Sequence, residues 1–135
     1  MKNTILSLIH HLKDEPLDKR IEDINAIRKA LHEISPFANE PVDFVEWVKT
    51  DSVFANDYNP NSVAPPEMEL LRVSITADGY TQPVVTMPDN ELFTVVDGFH
   101  RTRVAKECQD IRQRIHGYVP IVHIKASQEA LADRM

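Results

Sequence analysis

The segment Thr94-Val95-Val96-Asp97-Gly98-Phe99-His100-Arg101-Thr102-Arg103-Val104-Ala105 constrains this chain more than any other. A β-branched run delivers the backbone to a glycine, and a helix-forming run follows at once, a junction of α/β folds. Glycine takes backbone geometries that other residues resist and leaves room for a ligand. The helix behind it presents N–H groups and about half a positive charge at its N-terminus. His100 and Arg101 stand in that first turn. Backbone donors, a helix dipole, a fixed cation and a titratable imidazole therefore converge, which describes an anion site with phosphate as its usual occupant. The same junction also occurs with nothing bound, Asp97 then simply capping the helix, and both readings stand at this point.

The length of 135 residues suits one domain able to bury a core, and 42% hydrophobic with 27% charged residues is a globular composition. One cysteine, Cys108, excludes an internal disulfide framework and any multi-cysteine zinc site. No apolar run approaches the ~20 residues that span a bilayer. The stretch Ile5 to Ile9 is too short for a signal-peptide core, and no small-residue cleavage site follows it, so a cytoplasmic location is expected. The formal net charge of -6 points away from free-standing nucleic-acid binding, which draws its affinity from Lys and Arg. A local basic crowd of Arg101, Arg103, Lys106, Arg112 and Arg114 is the one candidate for it.

Two parts are expected, a helical extension over residues 1–41 and an α/β domain over 42–135. In the first, Asp18 is placed to cap a helix with Ile21, Ile24, Ile27, Leu31 and Ile34 at three- and four-residue steps, ended by Ser35-Pro36. Ile5 to Leu12 reads as a shorter helix before Pro16. In the second, Val42 to Val48 reads as a strand and Tyr58-Asn59-Pro60-Asn61 as a turn. A helix starting at Pro65-Pro66 presents Met68, Leu70, Leu71 and Ile75 and closes at Asp78-Gly79. Val84–Met87 and Leu92–Val96 read as paired strands around Pro88-Asp89-Asn90. A helix from about Phe99 carries Val104, Cys108, Ile111 and Ile115 on one stripe. Val119 to Ile124 reads as a last strand, and Ser127 as the cap of a final short helix. The fold class is thus α/β (α+β), a small mixed sheet flanked by helices.

The stretch from about Val53 to Ile124 resembles the ParB/sulfiredoxin superfamily. The matching pieces are Asn59-Pro60-Asn61, the helix ending Ser74-Ile75, Gly79, Gln82-Pro83-Val84-Val85, Val95 to Arg101 with Ala105, and Gly117-Tyr118-Val119-Pro120-Ile121. Several short motifs in order are far more specific than any one. With its helical N-terminal part, the chain is most similar to the stand-alone ParB-like co-activators of prophage gene expression, the IbrB type. The resemblance places a phosphate-binding signature on Gly98, Phe99, His100 and Arg101. It places a phosphate- or ribose-holding helix position on Ser74, and a pocket-lining segment on Gln82 and Pro83. Sulfiredoxins carry their reactive cysteine where Phe99 stands, which argues against sulfinic-acid reduction, and Cys108 falls on an apolar stripe as a core thiol. Partitioning ParB proteins have Glu and Arg at Phe99 and His100 and continue into a helix-turn-helix domain, so a full partitioning clamp is not expected. The free-serine kinase branch has an Asp-Gly-His-His-Arg form, close to Asp97-Gly98-Phe99-His100-Arg101.

The candidate roles follow. Arg101 would hold two phosphate oxygens at once. His100 would donate to phosphate or act as general acid or base, and Asp97 would hold Mg²⁺ or position water, making these two the catalytic candidates. Each has a plain counterpart: a surface ion pair for Arg101, a local hydrogen bond for His100, a helix cap for Asp97. The five other histidines show no metal-ligand spacing, and no metal site is assigned to them. Three functions remain open. One is an adenine-nucleotide phosphohydrolase or phosphotransferase using ATP, ADP or AMP. The second is a non-catalytic nucleotide sensor in gene regulation, with a protein partner resembling phosphoadenosine-phosphosulfate reductase. The third is a DNA-binding or nuclease module.

Overall fold

A computed structural model of the chain describes residues 1–55 and 65–125. The expected turn at Tyr58 to Asn61, its Asn59-Pro60-Asn61 motif and the cap at Ser127 lie outside them. The chain divides into two compact units at Phe44/Val45.

The first unit is helical. Helix α1 (Lys2–His10) runs into a 3-10 turn (His11–Asp14), and α2 (Leu17–Glu33) follows. Asp18 does not cap α2: Pro16, in extended conformation, is the N-cap, with no side-chain cap bond. Proline's fixed φ starts the helix there, and Asp18 sits in the first turn, where the dipole favours a carboxylate. The helix ends at Glu33, two residues before the expected stop, and Ser35 Oγ then accepts the Phe37 N–H at 3.0 Å. His32 stacks on Phe44 with ring centres 5.7 Å apart and meets Asp43 at 2.7 Å, which holds the Asp43 carboxyl below its usual range.

The second unit holds a five-stranded mixed sheet: β1 (Glu46–Lys49), β2 (Val53–Ala55), β3 (Val84–Asp89), β4 (Leu92–Asp97) and β5 (Tyr118–His123), in the order β1-β5-β3-β4-β2. Pairs β1/β5 and β3/β4 are antiparallel, while β3/β5 and β2/β4 are parallel. Helix α3 (Pro65–Asp78) precedes β3, and α4 (Phe99–Glu107) and α5 (Gln109–Arg114) join β4 to β5. The strand expected over Val42–Val48 starts only at Glu46, because Pro41 opens a 3-10 turn through Asp43. Pro88 and Asp89 belong to β3, and the turn tip is Asn90, at φ +59°.

The single helix expected from Phe99 is two, broken at Cys108, whose ψ of 103° is extended. No proline or glycine causes the break. The change of direction lets Ile111, on α5, join Ile75 and Val104 in one buried cluster, with Met68, Leu71, Cys108 and Ile115 packed against it. Leu70 is not part of it; it faces solvent at 71% exposure. Between the sheet and α4 lies the main core: Val53, Val84, Val95, Ala105, Val119 and Ile121. These β-branched and small residues alternate along the strands onto one face, which positions the start of α4 at the end of β4.

Candidate functional site

The site grows from the junction of β4 and α4. Gly98 is the N-cap of α4 in a left-handed conformation, φ +96°, and no side-chain cap bond is made. Asp97 is therefore not the helix cap; it is the last residue of β4, paired with Val85, and its side chain is exposed. A Cβ on Gly98 would lie 3.2 Å from Val84 Cα and 3.3 Å from Arg101 Nη1. Glycine is thus required twice, by the turn and by the crowding.

Behind Gly98, helix geometry orders the next three side chains. Phe99 packs against the main core, so it supports the turn with its ring. His100 meets Phe99 edge-on, ring centres 5.6 Å apart, and its Nδ1 is buried. Arg101 stands where the macrodipole is positive, its guanidinium close over Gly98. Gln82 comes from the connection between α3 and β3, and its Oε1 accepts a hydrogen bond from Arg101 Nη2. Pro83, half-buried, then leads into Val84. The structure thereby brings Gly98, Phe99, His100, Arg101 and Gln82 together, with Asp97 and Pro83 beside them in the chain. Ser74 is exposed on α3, and the structure links it to none of these by a hydrogen bond.

The reading of the sequence missed Tyr80. Its hydroxyl donates to the Arg101 carbonyl at 2.7 Å, and burial pushes its pKa well above the usual tyrosine range. A tyrosine directly after the helix-closing Gly79 and two residues before Gln82 was the available signal.

Most of the basic crowd is engaged by other groups of the same unit. Arg103 pairs with Glu107 at 2.5 Å. Arg114 reaches the Ile75 and Thr76 carbonyls at 2.7 and 3.0 Å. Lys106 donates to the Val53 carbonyl at 2.7 Å and sits over the Phe54 ring. Lys106 and Arg112 line a different open cleft of about 580 Å³ with Glu107, Gln109, Gln113, His116 and Gly117. Among the described residues, no three His, Cys, Asp or Glu gather as a metal cage.

A mixed five-stranded sheet, with a helix launched from a left-handed glycine and an arginine in its first turn, is the architecture of a ParB/sulfiredoxin-like domain. The family model of the ParB N-terminal domain matches residues 36–132, and the chain belongs to that family. It is 48% identical over 122 residues to the uncharacterized protein YbdM of Escherichia coli (strain K12), a match spanning 90% of this chain and 58% of that protein. The chain thus spans less than two thirds of that relative's length. Among solved structures it is similar to the C-terminally truncated chromosome-partitioning protein ParB from Caulobacter crescentus complexed with CTP-gamma-S. That likeness has a TM-score of 0.52 at 22% identity and covers 67% of this chain and 49% of that one. It is also similar to sulfiredoxin from Arabidopsis thaliana, with TM-score 0.51, 14% identity, and 66% and 93% of the two chains covered. At such identities the likeness concerns the fold. Among the described residues no helix is long and apolar enough to cross a membrane.

Proposed function

We propose that this protein binds a nucleotide through its phosphates at the β4–α4 turn. The observation that carries the reading is the placement of Arg101 over Gly98 at the positive end of α4. A guanidinium there adds a fixed charge and paired donors to the dipole of the helix. The Caulobacter ParB of the same fold, complexed with CTP-gamma-S, supports the choice of a nucleotide over a simple anion.

The reading extends to phosphoryl transfer from an adenine nucleotide, with His100 and Asp97 as the reacting side chains. Asp97 is exposed at the end of β4, beside the turn, and one hard carboxylate oxygen suits Mg²⁺, which takes few protein ligands and completes its shell with phosphates and water. With Asp97 as its protein ligand, such an ion would take its remaining ligands from phosphate and water. A role in prophage gene expression, with a partner resembling phosphoadenosine-phosphosulfate reductase, rests on the resemblance of the sequence alone. DNA binding has less support, since Arg103 is paired with Glu107 and Lys106 and Arg114 are engaged by backbone carbonyls.

Calorimetric titration of wild type and Arg101→Ala with AMP, ADP, ATP and CTP, in the presence of Mg²⁺, tests the binding claim. A phosphate-release assay on the tightest ligand then tests turnover. Binding that the variant loses, with release by wild type, supports the enzyme. Binding without release makes the protein a nucleotide sensor. Equal behaviour of the two proteins overturns the assignment of the site.

A further inference from the structure

The connection between α3 and β3 grips Arg101 at two points. Gly79, at φ +78°, closes α3 by donating its N–H to the Ile75 carbonyl at 2.8 Å. The Tyr80 ring next to it packs against both buried clusters of this unit. From that anchored ring the hydroxyl reaches the Arg101 carbonyl at 2.7 Å. Two residues further on, Gln82 holds the guanidinium of the same arginine. One short loop therefore fixes both the backbone and the far end of the side chain.

We propose that Tyr80 is a positioning residue for Arg101, working with Gln82 to hold the guanidinium ready over Gly98 for an anion; this rests on the nucleotide reading above. Three physical points favour it. An arginine side chain has large rotamer freedom, which binding must remove unless the fold has removed it already. Gln82 is neutral, so it orients the guanidinium without cancelling its charge, as a carboxylate at that place would. The Arg101 carbonyl, inside a helix, offers a second lone pair beyond the one that helix bonding uses, and Tyr80 occupies it.

Tyr80→Phe removes the hydroxyl and keeps the ring in both clusters. The first readout is ¹⁵N NMR of the arginine side chains, following solvent exchange of the Arg101 Nε proton in wild type and variant. The second is calorimetric titration with sodium tripolyphosphate, a polyphosphate without a base. Tyr80→Phe is expected to speed Arg101 exchange and to weaken tripolyphosphate binding about five- to ten-fold, the loss of one hydrogen bond. Gln82→Ala, at an exposed position that does not threaten the fold, is expected to speed exchange as well. Gln82→Glu is expected to hold Arg101 and yet weaken binding, because its carboxylate neutralises the charge.

Unchanged Arg101 exchange in both Tyr80→Phe and Gln82→Ala overturns the proposal, whatever the affinities. Faster exchange in these variants, with no tripolyphosphate bound by wild type, keeps the positioning role and overturns the nucleotide reading instead. A Tyr80→Phe protein that melts as wild type does, with faster exchange and weaker binding, supports both.

Discussion

Substitution of Gly98 by alanine combines two penalties that can be separated by a control. The first is conformational. At φ +96° an L-residue is strained by about 1–2 kcal/mol. The second is steric. The new Cβ would stand 3.2 Å from Val84 Cα and 3.5 Å from Val84 Cγ1. Val84 is fully buried in the central part of the sheet, paired to β5, so its backbone cannot step aside cheaply. Overpacking of that kind adds roughly 1–2 kcal/mol, for about 2–4 kcal/mol in total. In a unit of this size each kcal/mol moves Tm by about 4–8 °C, so a drop of roughly 8–32 °C is expected. Gly79→Ala isolates the first penalty, since Gly79 sits at φ +78° with nothing within 4 Å of its Cβ position. It is expected to cost about 1 kcal/mol. Thermal unfolding followed by circular dichroism, with urea titration as a second measure, compares the two. Equal losses for Gly98→Ala and Gly79→Ala would refute the claim that the β4–α4 turn is packed onto Val84. The alanine would also crowd Arg101 Nη1, so whatever protein remains folded should bind tripolyphosphate more weakly than wild type.

Local signals carried the central strands and the β4–α4 junction. Val84 to Met87, Leu92 to Val96 and Val119 to Ile124 are β-branched runs between turn residues, and tertiary contacts had little to override. Gly98-Phe99-His100-Arg101 was readable because glycine and a helix start are both written in adjacent residues. The break at Cys108 was not readable. The stripe Val104, Cys108, Ile111, Ile115 fits one continuous helix, and only the location of Ile75 on α3 rewards turning α5 toward it. Leu70 shows the converse failure: an apolar residue in a plausible helical stripe that packing leaves in solvent. Although Gln82 itself was named as lining the pocket, the bonds of Tyr80 and Gln82 to Arg101 went unread for a third reason. Tyr80 and Gln82 lie 21 and 19 residues from it, and no periodicity reports a bond that long in sequence. A helix cap was one of the two readings open for Asp97, because Asp is a favoured capping residue; the left-handed glycine takes that position and leaves the carboxylate free of capping duty.

Arg114→Ala removes both hydrogen bonds to the last carbonyls of α3 and is expected to cost about 1–2 kcal/mol by urea unfolding, with Arg114→Lys recovering part of it. Arg103→Ala is expected to cost less than about 1 kcal/mol at neutral pH, because its pair with Glu107 is largely exposed. Arg103 holds the Glu107 carboxyl below its usual range, so that small contribution is present above pH ~4.5 and is lost as the pH falls through the folded value. Comparing the two proteins at pH 7 and pH 3 checks the sign. Tyr80 has the opposite sense. Burial raises its folded pKa, so its contribution is complete below the ordinary tyrosine value near 10 and declines as the pH rises beyond it. The unfolded chain then releases a proton that the folded chain keeps. Tyr80→Phe has no such proton, so the stability gap between wild type and this variant should narrow steadily from pH 10 upward, while lysine titration affects both alike. Urea unfolding at half-unit steps from pH 9 to 11.5 measures that gap. A constant gap would mean that the Tyr80 phenol ionises as easily in the folded protein as in the unfolded chain, and the half-buried bond to the Arg101 carbonyl would have to be abandoned.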